Sequence, residues 1–448
     1  MTAHAPVQPG GLSPARLVRQ PACWIVAALL VAGGLRIAQI GGRFVTAFPL
    51  ATLTATVLFA LLAVPFWLFV TELDFLEREP TVLLVAALAW GGLVATAVSI
   101  PAGAALEDIV AKLTSPGFAA GWGSALTGPT VEEIAKTLGV VAIVLIARSQ
   151  INSVLDGIVY GAMVGLGFQI VEDIVFSLGA VAVAGRTDDV QPVVATFLLR
   201  GFLAGVWSHT LFGALAGAGI GYLVVGTDRS RPARLGVALL AVFGAWCAHV
   251  LWNAPLFGDG FGNGATGLLA VLVFKGLPPL LLILLLVRRA HDREADFYTA
   301  HLARLRDPGL ITPGELAVLR SGAQRAAARR HARIRYGRRG SLAVRRLQQA
   351  QARLAVELSR AWALASAGGP PIAAGAVVGN EAASQVAAVL RRCAEVRAQR
   401  AVLSGLGLRE AVAPRTGPDA WVRRAWVLVT VAFAVVVVWA ALAALDGG

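Results

Sequence analysis

Charge is scarce in this chain. Only 15% of its 448 residues are charged, 57% are hydrophobic, and the mean hydropathy is +0.71. A soluble protein of this size would carry about 25% charged residues, so this composition excludes a wholly soluble chain and places it among polytopic membrane proteins. Cysteine is nearly absent as well. Cys23, Cys247 and Cys393 lie far apart and share no ligand spacing, which excludes a disulfide framework and a cysteine-based zinc site. No H-E-x-x-H pair occurs, so any metal must draw its ligands from separate segments. The first twenty residues lack a basic n-region and a short apolar stretch with a cleavage site. The first apolar run therefore reads as a retained span.

What is present is apolar sequence in long runs. A helix needs about 20 apolar residues to cross a bilayer. Runs of that order occur at about 22–41, 49–71, 81–102, 124–147, 154–182, 193–225, 235–256, 265–287 and 425–445. The pattern predicts an all-α polytopic membrane helix bundle of about nine transmembrane helices. It also predicts a division into a tail over 1–21, a membrane bundle over 22–287 with its catalytic core at about 121–256, a basic helical segment over 288–424, and a last span over 425–448. From Arg288 to Arg424 there are 25 Arg and no Lys against 10 Asp or Glu, a net of +15 in a chain whose total is +13. By the positive-inside rule that segment and the N-terminus are expected in the cytoplasm, with the protein in the plasma membrane. Anionic lipid headgroups are the expected partner of the arginines, and nucleic acid is not. Within the segment, Thr312-Pro313-Gly314-Glu315 has the form of a capping box with Pro at the first helical position. Helices are expected through Arg320, over 323–339, 343–365 and 381–403, with a Gly/Pro/Ala hinge at 368–379.

The few charges inside the apolar runs carry the functional signal. Glu132 and Glu133 occur where a spanning helix should be, and each of the next three runs adds an acid or an imidazole: Glu172 with Asp173, then His209, then His249. A carboxylate at the centre of a spanning helix costs roughly 2.5–3.5 kcal/mol on insertion scales, so its default reading is functional. Counted from the inferred cytoplasmic ends at 1.5 Å per residue, Glu133, Glu172, His209 and His249 stand at ~22, ~28, ~25 and ~21 Å, in one layer. Glu132 and Lys136 are one helical turn apart, as are His249 and Asn253. Lys136 can neutralise one carboxylate of the pair and leave the other for chemistry. Arg200 can pair with Glu172 or Asp173, or snorkel outward. Gly157, Gly161 and Gly165 recur every four residues, as do Gly201, Gly205, Gly213, Gly217 and Gly221, with His209 in the missing place. Small residues at that spacing let two helix backbones approach closely.

The ordered set Glu132-Glu133-x-x-Lys136, Gly167-Phe168-x-x-x-Glu172, His209 and His249-x-x-Trp252-Asn253 resembles the PrsW family of intramembrane proteases. That family is a distant relative of the CAAX-prenyl proteases and the bacterial CPBP proteins. The likeness spans about 130–255. It implies a membrane-embedded peptidase, usually of metallo type, acting on membrane-anchored protein substrates such as an anti-sigma factor. In the metal mechanism it implies, Glu172, His209 and His249 hold Zn2+ and Glu132 or Glu133 is the general base. In a metal-free mechanism, one of the two glutamates activates water directly, His249 and Asn253 receive the oxyanion, and His209 orients the water. A proton- or cation-coupled transporter is the alternative from another class, because intramembrane acids and histidines mark it equally.

Overall fold

A computed structural model describes residues 18–73, 79–185, 187–203, 208–226, 229–256, 267, 270–366 and 380–413. Among them the chain is helical, with no strand. It divides into two compact units. Among the described residues, one is formed by those within 18–73 and 79–287, the other by those within 288–413.

The first unit contains α1 (Pro21–Ala47), α2 (Pro49–Leu73), α3 (Thr81–Leu113), α4 (Pro116–Ala147), α5 (Val154–Ala184), α6 (Gln191–Thr196), α7 (Ser208–Val225) and α8 (Arg231–Asn253). Five of these, α1, α2, α3, α5 and α8, are long and apolar enough to cross a membrane. Among the described residues, five of the expected nine spans thus take that form. α4 has the length but carries Glu132, Glu133 and Lys136 in its middle. In the apolar run at 193–225, residues 204–207 lie outside the described residues. α6 gives way to a π-helical stretch at Phe197–Leu203, and α7 starts at Ser208. The run at 265–287 contains a further π-helical stretch, Leu272–Gly276, before α9 (Leu277–Leu302). The expected last span at 425–445 and the hinge at 368–379 lie outside the described residues.

Glycine decides which helices touch. α5 and α7 lie against each other along their small residues. A Cβ on Gly157 or Gly161 would run into the backbone of Gly217 and Gly213, and one on Gly165 into the carbonyl of His209. Without an aqueous hydrophobic effect between lipid-facing helices, close backbone packing of this kind is what holds them together. α3 reaches α5 and α4 through its π-helical stretch Trp90–Ala95. There, a Cβ on Gly91 would strike the backbone of Val164 and Phe168, while the Trp90 ring covers Gly139 of α4. The Trp90 indole N–H donates to the Ala135 carbonyl at 3.0 Å, and the Thr96 hydroxyl serves the Gly91 carbonyl at 3.0 Å. α5 begins with a full capping box: Ser153 accepts from the Asp156 amide at 3.2 Å, and the Asp156 carboxylate accepts from the Ser153 amide at 3.0 Å.

The second unit is built by the end of α9 together with α10 (Pro313–Leu319), α11 (Gly322–Ser366) and α12 (Asn380–Gly405). Leu302, Leu319, Leu347, Leu354, Val396 and Leu403 form its core. The capping box expected at Thr312 and Glu315 is present, with Pro313 opening the helix. The two helices expected over 323–339 and 343–365 meet within α11 at Gly337, where non-helical φ 64° and ψ −155° suit only glycine. Glu315 is buried and fully partnered. Its carboxylate accepts from Arg400 Nη2 at 2.6 Å, Gln351 Nε2 at 2.9 Å and the Ala411 amide at 3.1 Å.

Candidate active site

Three helices and a fourth behind them converge on one oxygen. Glu132 is on α4, His209 on α7, His249 on α8, and Glu172 comes from α5. The glycine contact at Gly165 sets the backbone of His209 against α5, about two turns before Glu172. On α8, Trp246 donates to the Thr130 hydroxyl of α4 at 3.0 Å, one turn below His249. These tethers hold α4, α5, α7 and α8 in a fixed relation around the charged residues.

The two histidines are arranged alike. The Nδ1–H of His249 donates to Glu133 Oε1 at 2.8 Å, and the Nε2–H of His209 donates to Glu172 Oε2 at 2.8 Å. Each ring thus rests on a carboxylate behind it and turns its remaining nitrogen inward. His249 Nε2 lies 3.8 Å from Glu132 Oε2, and His209 Nδ1 lies 3.9 Å from the same atom. Both inward nitrogens are acceptors in these tautomers. His249 Nε2 receives the Asn253 amide at 3.3 Å, and His209 Nδ1 receives Lys136 Nζ at 3.1 Å. The rings stand nearly perpendicular at 4.9 Å between centroids, with Phe212 stacked on His249 and Phe168 beside His209.

The carboxylates differ sharply in how they are engaged. Glu133 is bound to Lys136 at 2.6 Å as well as to His249. Glu172 is bound to Arg200 at 2.7 Å as well as to His209, and Arg200 also holds Asp173 at 2.5 Å. Arg200 therefore takes both carboxylates on offer. Lys136 pairs with Glu133, three residues back, more closely than with Glu132, four residues back at 3.9 Å. Glu132 is the group left open. Its Oε2 is buried without any hydrogen-bond partner, yet its side chain is 13% exposed where that of Glu133 is 2%.

Glu132, His209 and His249 each offer one ligand atom within 4.8 Å of the others, so they could hold a metal ion. The donor set suits one. Two neutral imidazoles and a carboxylate are a common zinc set, and each imidazole has a carboxylate behind it, as metal-bound histidines almost always do. Charge points the same way. Glu132, Glu133, Glu172 and Asp173 face the fixed cations Lys136 and Arg200, leaving a formal −2 with both imidazoles neutral. Glu172, expected from the resemblance as a ligand, stands behind the His209 ring in this arrangement, and Glu132 takes the inward place.

Asn253 is at the exposed rim, beside the inward face of His249. Two further residues escaped the sequence reading. Trp90 pins α4 one turn beyond the Glu132-Glu133 pair. Lys275, buried in the π-helical stretch after α8, donates to the carbonyls of Ala254 at 2.5 Å and Trp252 at 3.4 Å, so it caps the end of the helix that carries His249 and Asn253. The signal for Lys275 was a lone lysine in an apolar run.

Residues 79–282 match a family model described as PrsW family intramembrane metalloprotease. No curated protein and no solved structure matches the chain.

Proposed function

From its membership, through residues 79–282, of the PrsW family of intramembrane peptidases, we propose that this chain cleaves a membrane-anchored protein at the centre where Glu132, His209 and His249 meet. The observation that carries the assignment is the buried Glu132 Oε2, without a hydrogen-bond partner and faced by the acceptor nitrogens of two histidines at 3.8 and 3.9 Å. Zn2+ fits the donor set, and Glu132, His209 and His249 would hold it. When bound, the ion polarises the scissile carbonyl and makes water a stronger acid.

The protein's own groups have separable tasks. Glu132 has two oxygens, so it can ligate through one and hold a proton at the other. It is the acceptor for the proton of the attacking water and returns it to the leaving amide nitrogen. Glu133 and Glu172 fix the tautomer and tilt of His249 and His209. Lys136 pairs with Glu133, and Arg200 bridges Glu172 and Asp173, so these three acids are engaged as supports. Asn253 supplies a neutral N–H donor at the rim, suited to charge developing on the carbonyl oxygen. A metal-free glutamate mechanism has one observation in its favour: Lys136 Nζ already stands 3.1 Å from His209 Nδ1 and 3.9 Å from Glu132 Oε2, a fixed cation at the same centre.

Topology follows from charge. The net +15 over 288–424 supports a cytoplasmic side for that segment and the N-terminus, in a plasma-membrane protein. The substrate class is a membrane-anchored regulator, of which an anti-sigma factor is the family's example.

Purified protein assayed on a membrane-anchored substrate decides between the mechanisms. Chelation is expected to abolish cleavage, and elemental analysis to find about one zinc per chain, as a single three-ligand site requires. Full activity in chelator with no bound metal selects the glutamate mechanism. Glu132→Gln is expected to lose activity about 10²–10⁴-fold, the usual contribution of a positioned acid–base group. Wild-type turnover by Glu132→Gln would remove the assignment altogether.

A further inference from the structure

The opposite end of the catalytic helices holds a second, unassigned site. An open recess of about 570 Å³ lies at the end of α7 and the start of α8, lined by Arg148, Leu223, Val224, Arg231, Pro232, Arg234 and Leu235. Three guanidinium groups share it with apolar side chains. None of the three arginines has an ion pair among the described residues, although such groups gather carboxylates elsewhere in the chain. Arg148 Nη2 donates to the Val224 carbonyl at 2.8 Å, and Arg234 donates to the carbonyls of Gly226 and Leu223. These bonds occupy one edge of each fork. Arg234 Nε is buried with no partner, and Arg231 is exposed with no hydrogen bond among the described residues. α8 opens at the same recess, and its N-cap Ser230 makes no side-chain cap, so unpaired backbone N–H groups add to the positive field.

We propose that this recess binds the phosphate of an anionic phospholipid, with its acyl chains along Leu235 and the lipid-facing side of α8. Unpaired arginines favour a phosphate oxyanion through forked N–H donors. The apolar lining and the position at the ends of membrane helices favour a phosphate that carries hydrocarbon. A polar anion alone would leave Leu223, Val224, Pro232 and Leu235 without a partner. The recess also has a structural consequence. Arg148 follows α4, and its bond to Val224 ties α4 to α7, while Arg234 ties α8 to α7. These are the helices that carry Glu132, His209 and His249. A phosphate shared by Arg148, Arg231 and Arg234 would clamp all three. The proposal does not depend on the peptidase reading, because its readout is lipid retention and thermal stability.

The test uses the full chain in nanodiscs. Wild-type protein is compared in phosphatidylcholine alone and in phosphatidylcholine with phosphatidylglycerol. Bound lipid is counted by native mass spectrometry, and unfolding is followed by temperature. The proposal expects phosphatidylglycerol to stay bound through detergent exchange and to raise the midpoint by several degrees. Arg231→Gln, which breaks no internal bond, should lose most of the retained lipid and of the shift. Arg148→Gln with Arg234→Gln should lose both, and Arg43→Gln, at the end of α1, neither. Inorganic phosphate at millimolar concentration is the second arm. It should give no shift by itself, and an equal shift would mean a soluble anion site and overturn the lipid assignment. Equal phosphatidylglycerol retention by wild type and Arg231→Gln would overturn the site.

Discussion

Adjacent glutamates at 132 and 133 have opposite fates because successive helical positions point about 100° apart. Glu133 turns toward Lys136 and His249 and is locked there, while Glu132 turns toward the open centre. Their glutamine variants should therefore fail differently. Glu132→Gln is expected to unfold at the wild-type temperature and be inactive. Glu133→Gln leaves the Lys136 ammonium buried without its nearest counter-charge, a change worth about 3–5 kcal/mol for a buried pair. It should unfold at a clearly lower temperature in the same detergent, and Glu133→Gln with Lys136→Met should recover much of that loss. Equal unfolding temperatures for Glu133→Gln and wild type would show that the pair does not hold the fold. The sequence marked these residues as a group of intramembrane charges, and the structure brings Glu132, Glu133, Lys136, Glu172, His209 and His249 side by side. The sequence could not divide roles between the two glutamates, because that division depends on the rotation of α4 against α8.

Two kinds of element make the site possible: glycine-faced helices and π-helical stretches. The i,i+4 glycines of α5 and α7 were legible as a packing pattern, and the structure pairs them, Gly161 against Gly213 and Gly157 against Gly217. Gly161→Leu is expected to force α5 and α7 apart, because its side chain would have to enter the backbone of Gly213. Cleavage should fall to background, and thermal stability should drop by several degrees. Gly179→Ala is the control on the same helix, since a Cβ there meets nothing within 4 Å. Its activity and unfolding should match wild type. If Gly161→Leu cleaved normally, the close α5–α7 contact would not be what positions His209. The π-helical stretches were not legible. A π turn differs from an α turn by one residue, and no apolar periodicity in a uniformly apolar run reports it.

At the level of the whole molecule, charge asymmetry predicts orientation. Ile334 is 78% exposed in the second unit, among Arg333, Arg335, Arg338 and Arg339. Ile334→Cys in a background lacking Cys23, Cys247 and Cys393 should resist a membrane-impermeant thiol reagent added to intact cells and react after lysis. Labelling before lysis would invert the topology and put the catalytic centre toward the other leaflet.

Composition and residue order alone determined that the chain is a helical membrane protein with a basic helical segment. They also picked out Glu132, Glu133, Lys136, Glu172, His209, His249 and Asn253. Bilayer physics makes those readings local: apolar length is set by membrane thickness, and each intramembrane charge is an expense that needs a reason. Tertiary structure decided what local patterns do not contain. It gave the apolar run at 193–225 a π-helical stretch at Phe197–Leu203, put Glu172 behind His209, paired Lys136 with Glu133, and left Glu132 Oε2 without a partner. Each of those outcomes depends on how helices distant in sequence rotate and approach, and that is set by contacts between backbones that no single segment records.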